Sequence, residues 1–436
     1  MPIPLFVFIC LFLSFVTSPA KAQLPTKLEL SAKSAILING ETGETLYEKN
    51  AHQPLYPASI TKLITAMYLL EKKGDALEVC VEASPEAVAA VHSHAKKTEG
   101  HKHPSHRLEF GGTHMGLKSG EILPLRVLLY GLMLASGNDA ANVIAEHVSG
   151  TIPQFIDELN AFVRSKGCTH TQLHTPHGLP HTEHKTTAYD MALLAKEAIK
   201  HPVLREVVKS AHSIRPASNK QSEIVMHQHN ALVRPGSKFY YPKAIGIKTG
   251  YTRAAGYTLI AAAEDENRKL VAVVLGCETL EQRYRDALLL FETAFQEKKD
   301  TRTLFAKDFD FFSTACKGGK QQLKAALEED LCVSFYPSEE QKFQHTVVWD
   351  ELRLPIRAGQ KVGEMRIFSS HGTLLKRATL FAAHPVEPNW GYFFSTHYQK
   401  GVQYIASHLS LFLTLIGCGV LGVAFLLFHK KRRKIV

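Results

Sequence analysis

The sequence predicts an α+β protein: an antiparallel sheet packed against a helical cluster, then a small all-β domain, then a C-terminal transmembrane helix. Three observations predict it. Strand patterns stand at both ends of the region before Gln296, with helical patterns between them. Short, turn-punctuated segments follow Gln296, and the uncharged run Leu409–Phe428 comes near the end of the chain. With 436 residues, 45% of them apolar and 21% charged, the chain has material for more than one packed domain.

In chain order, Leu5–Phe15 reads as the apolar core of a secretory signal, and Ala20-Lys21-Ala22 as its small-residue cleavage site. Residues 1–22 are therefore expected to be removed, although Met1-Pro2-Ile3-Pro4 carries no Lys or Arg. Ala35–Ile38 and Thr45–Glu48 flank Asn39-Gly40-Glu41-Thr42-Gly43, a hairpin pattern. Helical spacing follows over Ser59–Lys73, Leu123–Leu134, Ala140–His147, Ile152–Ser165 and Thr187–Lys200. Strand patterns return at Glu223–Met226, Ala244–Ile247, Tyr257–Ala263 and Leu270–Leu275, before a helical Leu280–Gln296. The expected domain 23–296 ends there. Leu331–Tyr336, Gln344–Trp349, Leu352–Ile356, Lys361–Arg366 and Ala378–His384 then read as the strands of a second domain, 297–386.

A juxtamembrane linker, 387–408, leads to the span 409–428 and the basic tail 429–436. Trp390, Tyr392, Phe393, Phe394 and Tyr398 stand where aromatic residues line an outer interface. Basic residues stay cytoplasmic, so Lys430-Lys431-Arg432-Arg433-Lys434 places the body outside the cytoplasm. Of the net charge of +10, five units lie in this tail and one at Lys21. The remainder is too small to signal nucleic-acid binding. With Cys10 and Cys418 in the signal and span, five cysteines remain, of which Cys316 and Cys332 are the closely spaced pair for a bridge. No Cys-x-x-Cys spacing for zinc or redox chemistry occurs.

The chemistry concentrates in three stretches. In Pro57-Ala58-Ser59-Ile60-Thr61-Lys62, Pro57 discourages helix and the apolar residues after Lys62 recur at helical spacing. Ser59 then sits at a helix start with the Lys62 amine one turn on, a recipe for an acyl-transfer nucleophile. Ser136-Gly137-Asn138 follows the mostly apolar run Leu125–Leu134, and Lys248-Thr249-Gly250 ends the strand pattern Ala244–Ile247. Ser-x-x-Lys, Ser-x-Asn and Lys-Thr-Gly, in that order, form the signature of penicillin-interacting serine enzymes.

Around these motifs, from about Ser31 to His384, the chain resembles the low-molecular-mass penicillin-binding proteins, the serine D-alanyl-D-alanine carboxypeptidases. Pro176-His177-Gly178-Leu179 and Thr187-Ala188-Tyr189-Asp190-Met191-Ala192 extend the likeness. The resemblance implies a penicillin-binding DD-peptidase fold and hydrolysis of the D-Ala-D-Ala bond of peptidoglycan stem peptides, with β-lactams as covalent inhibitors. Ser59 is the expected nucleophile and Lys62 its base; Ser136 relays a proton and Asn138 orients Lys62 or the substrate amide. Lys248 and Thr249 are expected to hold the terminal carboxylate, and Gly250 to allow close approach. Backbone N–H groups of Ser59 and, from the resemblance, Tyr251 would form the oxyanion hole. His177 borders the site in relatives, and Arg253 is a further carboxylate candidate that reads as solvent-facing. No metal or organic cofactor is needed.

Two rival readings are weaker. A class A β-lactamase needs a Glu to activate the deacylating water. Glu158-Leu159-Asn160 begins too soon after Asn138, and Ile156 stands where that Glu belongs. A catalytically silent wall-binding scaffold would not need all the motif residues intact. One stretch fits none of this: His92–His106, rich in histidine and nearly without large apolar residues. It reads as a solvated loop, with pH-dependent attraction to an anionic surface as its functional alternative and a histidine metal site as a third reading.

Overall fold

The structure is a computed structural model that describes residue 24 and residues 28–98, 102–339, 342–369 and 372–432. The expected signal segment 1–22 and the end of the tail, 433–436, lie outside the described residues. The chain divides into two compact units, one from Ala20–Lys299 with Tyr336–Glu340, the other holding Asp300–Phe335 and Gln341–Val436.

In the first unit five antiparallel strands pair in the order Thr45–Lys49, Ser34–Asn39, Lys269–Cys277, Gly256–Glu264, Ala244–Thr252. The N-terminal hairpin thus joins strands more than two hundred residues away in sequence. Its turn closes because Asn39 Oδ1 accepts the N–H groups of Glu41 (2.8 Å) and Thr42 (3.0 Å). Period-two alternation sorts the side chains by face. Ile36, Ile38, Ile260, Val271 and Val273 enter the helical core, while Leu37, Leu259 and Val274 pack with Tyr284, Leu290 and Phe291 of the helix Leu280–Phe295. Both faces of the sheet are covered.

The helix Lys62–Lys73 runs inside the cluster, buried on all sides from Lys62 to Ala66. Around it stand Leu125–Met133, Asn138–Ser149, Ile152–Ser165 and Ala188–Ala198. The expected strand near Glu223 forms as Ile224–His227, but pairs with His212–Arg215 in a separate ribbon outside the main sheet.

The described residues of the His92–His106 stretch, 92–98 and 102–106, depart from the solvated loop that composition predicts. Ser93–Thr98 is helical, and Lys96 Nζ donates to the carbonyls of Ser105 (2.9 Å) and Arg107 (2.8 Å). Ser105 Oγ donates to His174 O (2.7 Å), and the buried His106 ring lies 3.0 Å from Glu86 Oε1. Polar bonds to main-chain carbonyls hold these residues at Lys96 and Ser105, so the lack of apolar residues is a poor guide to them. Among the described residues, no three His, Cys, Asp or Glu side chains are grouped to hold a metal.

The second unit has a five-stranded sheet ordered Phe312–Thr314, Leu323–Leu327, Leu374–Ala382, Lys361–Phe368, Gln344–Trp349, and a two-stranded pair, Asp300–Phe305 with Leu331–Phe335. Leu323, Ala325, Met365, Ile367 and Leu380 fill its core. Leu352–Ile356 is not a strand: Pro355 has no N–H to give a ladder, and only Ile356 bridges, to Val386. A helix of 43 residues, Trp390–Arg432, completes this unit and begins well before the apolar run at Leu409. Most of the expected linker 387–408 is therefore helical. Cys316 and Cys332 are free thiols, so no bridge joins them.

Candidate active site

Ser59 lies in the 3-10 turn Ala58–Thr61, which runs straight into the helix that starts at Lys62. Ala58 has φ +54°, a left-handed value that an alanine adopts only under constraint. Thr61 Oγ1 donates to Ala58 O (2.9 Å) and Thr258 Oγ1 to Pro57 O (2.9 Å), pinning the turn at both ends. Gly178 presses on it from a third side: a Cβ there would stand 1.9 Å from Ala58 O.

Lys62 is fully buried, and its Nζ bonds Ser59 Oγ (2.9 Å), Asn138 Oδ1 (2.7 Å) and His177 O (2.9 Å). None of these partners is a carboxylate. Burial, and next the charge of Lys248, hold the amine well below the usual lysine range, against an opposing pull from Asp139.

Ser136 has φ +58°, and Asn138 opens the helix Asn138–Ser149 with its N–H on Thr113 O (2.9 Å). Asp139, the next residue, is buried and accepts the N–H groups of Met115, Gly116 and Leu117 at 2.9–3.0 Å. One carboxylate thereby fixes the segment that packs beside the second motif.

Lys248 lies in the sheet-edge strand Ala244–Thr252, almost fully buried, with Nζ on Thr249 O (3.1 Å). Burial, and then the Arg283 guanidinium, bring it down to about 7. Arg283 Nη1 donates to Gly250 O (3.1 Å), while its buried Nε has no hydrogen-bond partner. A Cβ on Gly250 would sit 2.4 Å from Thr258 Oγ1 and 2.9 Å from Ser59 N, so only glycine lets this strand lie against the Ser59 turn.

Ser59, Ser136, Asn138, Thr249, Gly250 and Tyr251 line a cleft of about 1140 Å³. Lys62 and Lys248 stand behind its floor, outside the lining. His177, a binding candidate because it borders the site in relatives, is also fully buried and outside the lining. Its Nδ1 accepts from Leu179 N–H (3.1 Å), so its Nε2–H donates to His106 O (3.1 Å). Burial, followed by the Lys62 charge, keeps this ring well below the usual histidine range. His177 thus acts on the cleft through the carbonyl it offers Lys62. Arg253 is exposed and lines the cleft. Glu158 does not: its carboxylate holds Tyr68, Ser149 and Gln154.

Sequence reasoning missed Arg283. A signal was present, because Arg283, Ala287, Leu290 and Ala294 recur at helical spacing on the buried face of Leu280–Phe295. An arginine on such a face needs an explanation.

Residues 19–279 match the family model for D-alanyl-D-alanine carboxypeptidases. The chain belongs to the D-alanyl-D-alanine carboxypeptidase family. Residues 300–388 match the C-terminal domain of penicillin-binding protein 5, the β-rich region that follows the carboxypeptidase domain. Curated carboxypeptidases similar to the chain include DacF of Bacillus subtilis, 28% identical over 82% of this chain and 86% of the relative. DacC of Escherichia coli is 29% identical, covering 86% and 90% respectively. Among solved structures, the carboxypeptidase DacD from Francisella tularensis shares the fold, with a TM-score of 0.57 at 22% identity, over 86% of this chain and 98% of that one. A D-alanyl-D-alanine carboxypeptidase from Mycobacterium tuberculosis is 27% identical, with a TM-score of 0.53 over 64% of this chain and 96% of its own.

Proposed function

We propose that this chain, a serine-type D-alanyl-D-alanine carboxypeptidase by family, removes the terminal D-alanine of peptidoglycan stem peptides through an acyl-enzyme on Ser59. The observation that carries the assignment is the Lys62 amine, fully buried, free of any carboxylate partner and 2.9 Å from Ser59 Oγ. An amine desolvated in this way is held well below the usual lysine range, which is what a base for Ser59 requires. Ser59 Oγ attacks the carbonyl carbon of the penultimate D-alanine as its proton passes to Lys62 Nζ. The carbonyl electron pair moves onto oxygen, where the backbone N–H groups of Ser59 and Tyr251 receive the charge. Collapse breaks the C–N bond, and the departing nitrogen takes a proton by way of Ser136. Water then attacks the ester carbon and returns the proton to Ser59.

Thr249 and Arg283, both in the cleft lining, are the direct grip for the terminal carboxylate, with the Lys248 charge behind them. Asn138 positions Lys62 through its 2.7 Å bond. The β-lactamase reading loses its carboxylate, since Glu158 is engaged away from the cleft. Penicillins would acylate Ser59 as substrate analogues.

For location, among the described residues one helix is long and apolar enough to cross a membrane, Trp390–Val423 in the second unit. The orientation proposed is an extracytoplasmic body, a single C-terminal span and a cytoplasmic basic tail. Domain limits at 296/297 and 386/387, and removal of 1–22, belong to the same proposal.

Ser59→Ala tests the assignment. The variant should neither release D-alanine from a D-Ala-D-Ala peptide nor be labelled covalently by a fluorescent penicillin. A covalent adduct on the alanine variant would move the nucleophile elsewhere. Cleavage of the intact tail by protease added from the extracytoplasmic side would reverse the orientation.

A further inference from the structure

The cleft is cationic almost throughout. Lys96, Arg234, Arg253 and Arg283 line it, with three histidines; Glu109 is the sole carboxylate among the described residues of its wall. Glu109 ends the short strand Leu108–Glu109, which pairs with Ala90–Val91. Its main chain is fixed, because its carbonyl accepts Gly112 N–H (2.8 Å) and pairs with the His114 ring (2.8 Å). A Cβ on Gly112 would lie 3.0 Å from Glu109 O and 2.9 Å from Asn138 Nδ2, so Glu109 stands directly beside the second motif.

The carboxylate itself is under-used. Lys96 Nζ approaches to 4.0 Å, but the bonds of that ammonium go to Ser105 O and Arg107 O. The Glu109 side chain retains 23% exposure, so it opens to the cleft while water is partly excluded. A carboxylate accepts several donors, and an ammonium group brings three. In a cleft that attracts an anionic peptide, a carboxylate whose one close cation is spent on two carbonyls favours a substrate that brings a cation of its own there.

Contacts order the site. Glu109 adjoins Asn138 through Gly112, Asn138 bonds Lys62, Lys62 bonds Ser59, and Ser59 lies against Gly250 beside Thr249. A peptide with its carboxylate at Thr249 and its scissile carbonyl at Ser59 therefore sends its preceding residue towards Glu109.

We propose that Glu109 is a specificity-determining residue for a free amine on the side chain preceding the two terminal D-alanines. The cleft then selects peptides whose amine is unsubstituted over those in which it is acylated, as it is after joining to a neighbouring strand. This rests on the carboxypeptidase reading above.

The test compares Nα-acetyl-lysyl-D-Ala-D-Ala with its Nα,Nε-diacetyl counterpart, using the full chain in detergent and D-alanine release as readout. Wild type should favour the free amine by about fivefold in kcat/KM, the scale of a partly exposed ion pair. In Glu109→Gln the ratio should fall to about one. In Glu109→Lys an Nε-succinyl substrate should overtake the free amine. Equal wild-type rates on the first two substrates, or a ratio that survives Glu109→Gln, would overturn the subsite and leave the carboxypeptidase reading standing. The wild-type comparison decides even if a variant does not fold. Wild type that cleaves neither peptide would overturn both.

Discussion

Two basic side chains buried in the same unit, Lys62 and Arg268, are treated in opposite ways. Arg268 meets carboxylates: its guanidinium bonds Glu297 and Glu339, with further bonds to Ala294 O and Ser338 Oγ, and it stacks 3.9 Å from the Tyr336 ring. Glu339 and Tyr336 belong to the short return segment Tyr336–Glu340, so this cluster ties that segment to the first unit. Lys62 meets only a hydroxyl, an amide oxygen and a carbonyl. A paired charge in low dielectric stays charged and holds structure. An unpaired one gives up its proton, which is a defect in a scaffold and the requirement of a base.

The largest break in this comparison is Lys62→Met, which keeps the volume and removes the base. Acylation by substrate or penicillin should fall by about 10³-fold or more, with the fold intact by circular dichroism. Acylation within tenfold of wild type would assign the base to another group.

Arg268→Met should act on stability alone. It strands two carboxylates that are largely buried, at a cost of about 3 kcal/mol. The thermal transition of the first unit should drop, while turnover per folded molecule at 25 °C stays the same. A rise in the transition temperature would show the cluster to be dispensable.

Asn138→Asp makes Lys62 resemble Arg268, by setting a carboxylate at the atom now 2.7 Å from Nζ. The amine should hold its proton to higher pH, so the acidic limb of the kcat/KM profile should move upward in pH. Activity at pH 7 should fall by about 10²-fold. An unshifted limb would mean that Lys62 does not set that limb.

The smallest effect is on stability against pH. Lys248 is held at about 7 in the fold against 10.5 in the unfolded chain. Between those values the unfolded state binds more protons, so stability should rise with pH across that window, and Lys62 acts in the same direction. Lys248→Met should flatten part of the rise. An identical slope in the variant would show that Lys248 titrates normally.

The parts legible in the sequence are those whose chemistry is local. The three motifs could be read because each needs its own backbone context: a turn before a helix, a helix entrance, the end of a strand. The hairpin at Asn39 was legible because one side chain closes it. What was not legible depends on contacts distant in sequence. Arg283 reaches Gly250 across 33 residues, and Ser105 reaches His174 across 69. His177 looked like a pocket residue, yet its imidazole turns away to bond His106 O and only its carbonyl serves Lys62. Composition described the His92–His106 segment as water-loving but could not show which carbonyls would hold it.

The 43-residue helix Trp390–Arg432 carries a consequence of scale. At 1.5 Å per residue it is about 64 Å long, roughly twice the hydrocarbon thickness of a bilayer. If the apolar run Leu409–Phe428 occupies that thickness, Trp390–His408 remains outside as a rod of about 28 Å. A flexible tether would let its cargo wander from the lipid surface outward. A rod would work as a ruler, setting the height at which the β-rich sheet of the same unit stands above the lipid as a band and not a sphere. Removing whole turns from Trp390–His408 would lower that band in steps of about 5.4 Å.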